Sequence, residues 1–229
     1  MSLPNTVSAV RRPAMNTKTM VSLAMLTAIA YVVMYLSKLM PQVMGFLQFD
    51  LKDTIICIGG FIFGPLAAAL VSIVVALIEM VTVSDTGPIG MIMNILATCA
   101  FCCTASFIYK KKHTMTGAVI GLSIAIVALT VVMLLWNYLV TPIYYNMPRE
   151  AVAAMLPTVF LPFNLVKGGM NMAAILLLYK PVVGALRKAH LVAPSETGKS
   201  GKLSLGFILF ALALLATFIM LMLVLAGII

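Results

Sequence analysis

The stretch Thr54-Ile55-Ile56-Cys57-Ile58-Gly59-Gly60-Phe61-Ile62-Phe63-Gly64-Pro65-Leu66-Ala67 decides the fold. It carries no charge. Gly64-Pro65 breaks it, and such a pair stops one helix and opens the next. The apolar segment before the break, 54–64, reaches only about 16 Å at 1.5 Å per residue. A hydrocarbon core is about 30 Å thick, which takes about 20 apolar residues to span. Whether this short segment crosses therefore sets the topology of everything around it.

Longer apolar runs flank it at 19–37, 66–83, 89–109, 114–140, 157–179 and 203–229. The whole chain matches them in character. Of its 229 residues, 63% are hydrophobic and 9% charged, against roughly 45–50% and about 25% in a soluble domain. Mean hydropathy is +1.14. A folded domain must turn about half of its surface to water, so this composition excludes soluble secreted, nuclear and cytosolic proteins. Unbroken apolar runs, in place of weak alternation, exclude a β-barrel. The first run follows Arg11, Arg12 and Lys18 as a signal peptide would. It is long and no small-residue cleavage site follows, so it reads as a retained helix.

Charge parity places the short segment. Arg11, Arg12 and Lys18 belong on the cytoplasmic side, and so do Lys110, Lys111 and Lys112. Both clusters lie inside only if an even number of spans separates them, which requires 54–64 to cross, extended by residues 47–53 in a thinned or protein-lined region. The other charges then sort by side. Inside lie those six together with Lys180, Arg187, Lys188, Lys199 and Lys202, against Glu196, a net charge of +10. Outside lie Lys38, Lys52, Arg149 and Lys167, which cancel Asp50, Asp53, Asp85 and Glu150. Glu79, in the third span, completes the total of +9. The positive-inside rule thus explains the basic balance without nucleic acid. The expected organisation is a cytoplasmic segment 1–18, a six-helix membrane domain 19–183, a cytoplasmic linker 184–202 and an additional span 203–229.

Polar residues inside a membrane tend to mark a site, and here they gather toward the outer ends of spans. The first outer loop, residues 40–53, is too apolar for a solvated loop. Phe46, Leu47 and Phe49 need something to cover: either they form a lid over an outer cavity or they anchor the loop at the interface. Asp53 suits an N-cap for the helix that follows. Asn94 lies about one turn below the outer end of the fourth span. The fifth ends Leu134-Leu135-Trp136-Asn137-Tyr138-Leu139-Val140-Thr141-Pro142. Trp136 and Tyr138 fit an aromatic belt, which leaves Asn137 unexplained. In the sixth, Asn164 and Lys167 share a helix face at i, i+3. Pro162 sits in the first turn or kinks the helix, and Gly168-Gly169 admits a close neighbour. Lys167 either snorkels to the outer surface or belongs to a polar binding site. Amides with one cation and apolar surface suit a neutral heterocycle with an imide-like edge better than an anion.

Other signals carry less. Cys57, Cys99, Cys102 and Cys103 lie in apolar runs without an accompanying histidine or acid, and read as small packing residues. Gly198-Lys199-Ser200 is half of a phosphate-binding loop, but Ala193 stands where the first glycine belongs. Ala24 and Ala28, like Gly117 and Gly121, form small-xxx-small faces for close helix packing. No long internal repeat is evident. The two histidines, His113 and His190, lie beside cytoplasmic basic residues, and Glu79 is the one acid within a span. No catalytic residues follow, no metal or cofactor is called for, and a membrane-embedded enzyme is disfavoured. No row of polar residues crosses the full membrane, which argues against a channel.

The chain resembles the substrate-binding S components of energy-coupling factor (ECF) vitamin transporters, above all the riboflavin-specific ones. The resemblance covers about residues 17–190. It is carried by Phe46-Leu47-Gln48-Phe49-Asp50-Leu51-Lys52-Asp53, by Gly60 to Ala67, by Leu135-Trp136-Asn137-Tyr138 with Thr141-Pro142, and by Leu161-Pro162-Phe163-Asn164-Leu165-Val166-Lys167-Gly168-Gly169. It implies an all-α six-helix membrane protein in a prokaryotic plasma membrane, N-terminus cytoplasmic, holding riboflavin as transported ligand in an outer cavity closed by the first loop. Another vitamin or heterocyclic precursor is the alternative. It further implies substrate contacts from Asn164 and Lys167, Asn137, Asn94 with Ala97, and Gln48. Gln48 stands where a small hydroxyl residue is more typical. Ala24 and Ala28 match the motif that docks on the transmembrane coupling subunit, and two ATPase subunits would complete the importer. The span 203–229 has no place in the six-helix pattern.

Overall fold

The computed structural model describes residues 17–84, 86–189 and 204–229. Arg11, Arg12, Asp85, His190, Glu196, Lys199 and Lys202 lie outside the described residues, as does the linker beyond residue 189.

Helix α1 (Thr17–Ser37) leads into a short antiparallel hairpin, β1 (Gln42–Val43) with β2 (Leu47–Gln48), in which Gln42 faces Gln48 and Val43 faces Leu47. Met44 and Gly45 turn the hairpin at φ 56° and 76°, the left-handed region that glycine adopts freely. Then follow α2 (Lys52–Phe63), α3 (Pro65–Thr82), α4 (Gly87–Thr98), a π-helical turn (Cys99–Cys103) and α5 (Thr104–Lys111). Helix α6 (Met115–Tyr144) precedes α7 (Arg149–Met155), a second π-helical turn (Leu156–Phe160), α8 (Leu161–Lys188) and α9 (Leu205–Leu225).

Six helical stretches among the described residues are long and apolar enough to cross a membrane: α1, α3, the run Gly87–Lys111, α6, the run Arg149–Leu186, and α9. Helix α2 is the short segment. Its twelve residues reach about 18 Å, yet ten of them, Lys52 to Phe61, are buried. It packs against α1, α3, α5 and α8, so protein surrounds it where a full-length span would meet lipid. Glycine makes this possible: a side chain at Gly59 would press on Leu26 of α1, and one at Gly60 would overlap Ser106 of α5. The turn to α3 uses Gly64 at φ 96°, and Pro65 begins the next helix. An all-α bundle of six helices results, with α9 added.

Several boundaries differ from expectation. Helix α2 begins at Lys52, with Leu51 in the cap position and no side-chain cap. Asp53 is therefore no N-cap; it accepts a 2.7 Å hydrogen bond from the Thr98 hydroxyl. Helix α8 runs through Pro181 to Lys188, so the expected linker starts later than residue 184. Pro162 sits in the first turn of α8, directly behind the second π-helical turn.

Helix α9 packs along α8. Gly168 and Gly169 admit two different neighbours: Ile126 of α6 stands against the first, and the Phe218 ring of α9 fills the place of a side chain at the second. Gly169→Val should push Phe218 aside and lower stability by about 1–3 kcal/mol, as overpacking does. Gly184→Val, with nothing within 4 Å of the added carbon, should be close to neutral. Equal thermal unfolding of the two variants in detergent would contradict this packing of α9.

Candidate substrate-binding site

One end of the bundle holds a cavity of about 370 Å³, within the range of about 300–1,000 Å³ typical of small-molecule sites. It is walled by α1, the α1–α2 loop, α3 and the turn after it, α4, α6 with the residues after it, and α8. Lys110 and Lys111 form the last turn of α5, and Lys112 caps it before α6.

The loop from residue 40 to 51 folds inward over this cavity. Phe49 is fully buried, with its ring 4.6 Å from Phe163. Phe46 packs on Tyr145 at 5.0 Å and Phe160 at 6.3 Å. Val43 and Leu47 join Val152, Phe160, Val166 and Met170 in one apolar cluster.

Gln48, Asn94, Ala97, Asn137, Asn164 and Lys167 all line the cavity, as do Phe46, Leu47 and Phe49. Two of the amides are held by the helix that carries them. Asn137 donates to the Met133 carbonyl at 2.7 Å and accepts from Thr141 at 3.0 Å, and Asn164 donates to the Phe160 carbonyl at 2.7 Å. Each bond fixes the amide plane and leaves one N–H and acceptor capacity for a ligand. Trp136 does not line the cavity and packs against the central apolar cluster. Tyr138 is exposed, with the Arg149 guanidinium 5.8 Å from its ring, as a belt residue would be.

Lys167 does not snorkel. It is buried, and its ammonium donates to Asp50 Oδ2 at 2.8 Å. Of the charges expected on the outer side, Asp50, Lys52, Asp53 and Lys167 are buried, whereas Arg149 and Glu150 are exposed. Lys52 donates to Glu79 Oε2 at 2.8 Å and lies 3.8 Å from Asp50, while Lys38 stands 3.8 Å from Glu79. Asn94 donates to the same Glu79 oxygen at 3.2 Å. Glu79 is thus not the lone acid it is in the sequence. Burial pushes the Asp50 carboxyl upward, but the Lys167 and Lys52 ammoniums outweigh it and hold the group below the ordinary carboxylate range.

Sequence reasoning missed Asp50, Glu79, Lys38 and Asn171. Asn171 donates to the Asp50 carbonyl at 2.9 Å and accepts from Thr54 at 2.8 Å. It follows Lys167 by four residues on the same helix face, and that spacing was the available signal. The ion pairs had none, because 117 residues separate Asp50 from Lys167.

Ala24 and Ala28 lie on the exposed side of α1, while α9 packs on α8. The four cysteines are free; Cys102 and Cys103 donate weakly to the Asp53 and Pro65 carbonyls. Among the described residues no group of His, Cys, Asp or Glu is arranged to hold a metal ion.

The family model for the substrate-specific component of ECF transporters matches residues 18–183. The chain belongs to that family. It is a multi-pass membrane protein of a transport system, and not an enzyme. It is 30% identical over 177 residues to the riboflavin transporter RibU of Staphylococcus aureus, covering 75% of this chain and 93% of that protein. The riboflavin transporter FmnP of Bacillus subtilis is 29% identical over 189 residues, covering 77% and 100%. A solved S component of a bacterial ECF transporter superposes with a TM-score of 0.64 at 31% identity, over 74% of this chain and 98% of that one. Helix α9 lies beyond the family-matched residues.

Removing one partner of a buried ion pair leaves the other charge unmet, at about 3–5 kcal/mol. Asp50→Asn should therefore destabilise the protein strongly. Lys167→Met should do so less, because Asp50 keeps Lys52 at 3.8 Å. The double variant should lose less than the two single losses combined. Simple additivity in thermal unfolding would mean that the two groups do not interact.

Proposed function

We propose that the chain is the riboflavin-binding S component of an ATP-driven ECF importer. It would capture the vitamin in the cavity beneath the α1–α2 loop and deliver it with a coupling subunit and two ATPase subunits. The observation that carries this is convergence. Side chains from the loop, α4, α6 and α8 meet on one cavity, in a chain about 30% identical to named riboflavin transporters. The amides supply donors and acceptors, and the apolar wall suits a flat ring system. The cavity end would face outward and the Lys110–Lys112 end the cytoplasm, as the positive-inside rule requires, in a prokaryotic plasma membrane. Riboflavin would be cargo, with no resident cofactor.

Riboflavin fluorescence should fall when the purified protein is added. Asn137→Ala and Asn164→Ala should each weaken binding by roughly two- to tenfold, the loss of about 0.5–1.5 kcal/mol per neutral hydrogen bond. If fluorescence is unchanged and calorimetry shows no heat, the cargo is a different heterocycle.

The exposed Ala24 and Ala28 suit close approach of a partner helix, and we assign the coupling subunit to this face. Ala24→Trp should abolish riboflavin uptake in cells that carry the full importer, while the isolated variant binds riboflavin as the parent does. Parallel loss of binding and uptake would return these alanines to the internal fold.

A further inference from the structure

Two buried polar atoms in the cavity wall have no hydrogen-bond partner among the described residues: Asp50 Oδ1 and Gln48 Nε2. Asp50 is more than nine-tenths buried. Its other oxygen, Oδ2, takes the Lys167 bond. An unmet polar atom in such a place costs about 1–3 kcal/mol, so a ligand that bonds to it recovers that loss. The two atoms differ in kind. A carboxylate oxygen only accepts; an amide nitrogen only donates. They sit two residues apart in the same loop. The complement to this pair is a ring N–H beside a ring carbonyl.

We propose that Asp50 and Gln48 read the imide edge of the cargo, Asp50 Oδ1 accepting its ring N–H and Gln48 Nε2 donating to the neighbouring carbonyl. This rests on the riboflavin reading above and adds the group that selects within that ligand class. Asp50 serves because Lys167 and Lys52 keep it ionised, and a charged acceptor makes a stronger bond than a neutral one. The remaining ammonium protons of Lys167 and the three asparagines are left for the rest of the ligand. A cargo whose ring N–H is blocked would strand the carboxylate again and be rejected.

The test compares riboflavin with its 3-methyl derivative, in which the imide N–H is replaced by N–CH3, both titrated into the full chain in lipid nanodiscs. The parent should bind the methyl derivative at least tenfold more weakly. Asp50→Asn keeps the size of the side chain but loses the charged acceptor, so the gap should narrow to within about threefold. A merely steric rejection of the methyl group would keep the gap. The same narrowing is expected in the charge-balanced Asp50→Asn/Lys167→Met chain, which guards against misfolding of the single variant. Gln48→Ala should weaken riboflavin binding severalfold and leave the gap in place. Equal binding of both ligands by the parent overturns this inference while leaving riboflavin as cargo. Binding of neither overturns both. A gap that survives in Asp50→Asn assigns it to shape and overturns the role of the carboxylate.

Discussion

A carboxylate inside a membrane bundle is tolerable only when its charge is answered, and Asp50 is answered twice, by Lys167 at 2.8 Å and Lys52 at 3.8 Å. Much of the cavity's architecture follows from that requirement. Lys52 also reaches Glu79, so the start of α2, the C-terminal half of α3 and the α2 end of the first loop are tied through one ammonium. Lys167 ties the loop to α8, and Asn171 adds a second bond from α8 to the Asp50 backbone. The cations Lys38, Lys52 and Lys167 balance Asp50, Asp53 and Glu79. With its charges paired, the wall offers a ligand amide groups, single unmatched atoms and the remaining Lys167 N–H groups, and among the described lining residues no unpaired cation. That is the wall a neutral heterocycle requires; a phosphate would need cations of its own.

The six long spans were legible because apolar length marks each of them. The asparagines and Lys167 were legible because a polar residue in an apolar helix stands out by itself. Pairing was not. Asp50 and Lys52 read from the sequence as outer-loop charges in balance, Lys167 as a lone cation of the sixth span, and Glu79 as an isolated acid. Their balance was real, but it is achieved within the bundle. Only the register of α2 against α3 and α8 brings these groups together, and no local pattern encodes that register. Asp53 shows the same limit. Its position invites a cap, yet the helix starts a residue earlier and its carboxylate turns to Thr98.

Helix α9 illustrates how an added span is held. It is apolar all round, with only Ala211 and Met222 buried. Hydrophobicity cannot seat such a helix, because lipid tails are as apolar as its neighbours and association depends on close packing. Gly169 provides that: the Phe218 ring occupies the space a side chain would take, and Met222 enters the cluster of Val152, Phe160, Val166 and Met170. This cluster also contains Val43, Leu47 and Phe49 of the loop. The far end of α9 therefore supports the same apolar layer that the loop lies on, from the lipid side of α8.

Two kinds of contact hold that loop, and they differ in what breaking them requires. At its α2 end, the Leu51 N–H bonds to Ser37 and Asp50 bonds to Lys167 and Asn171. Parting these inside the bundle would leave charges unmet in a medium of low dielectric. Residues 43–49 are held by apolar and aromatic contacts, Phe46 on Tyr145 and Phe49 on Phe163. Parting those exposes apolar surface at about 25 cal/mol per Å², a cost that grows gradually with the area lifted. Separating residues 43–49 from the bundle would therefore cost apolar contact area alone and leave the Asp50 pairs intact. Apolar cover and the electrical neutrality of the wall are thus carried by different residues of one loop.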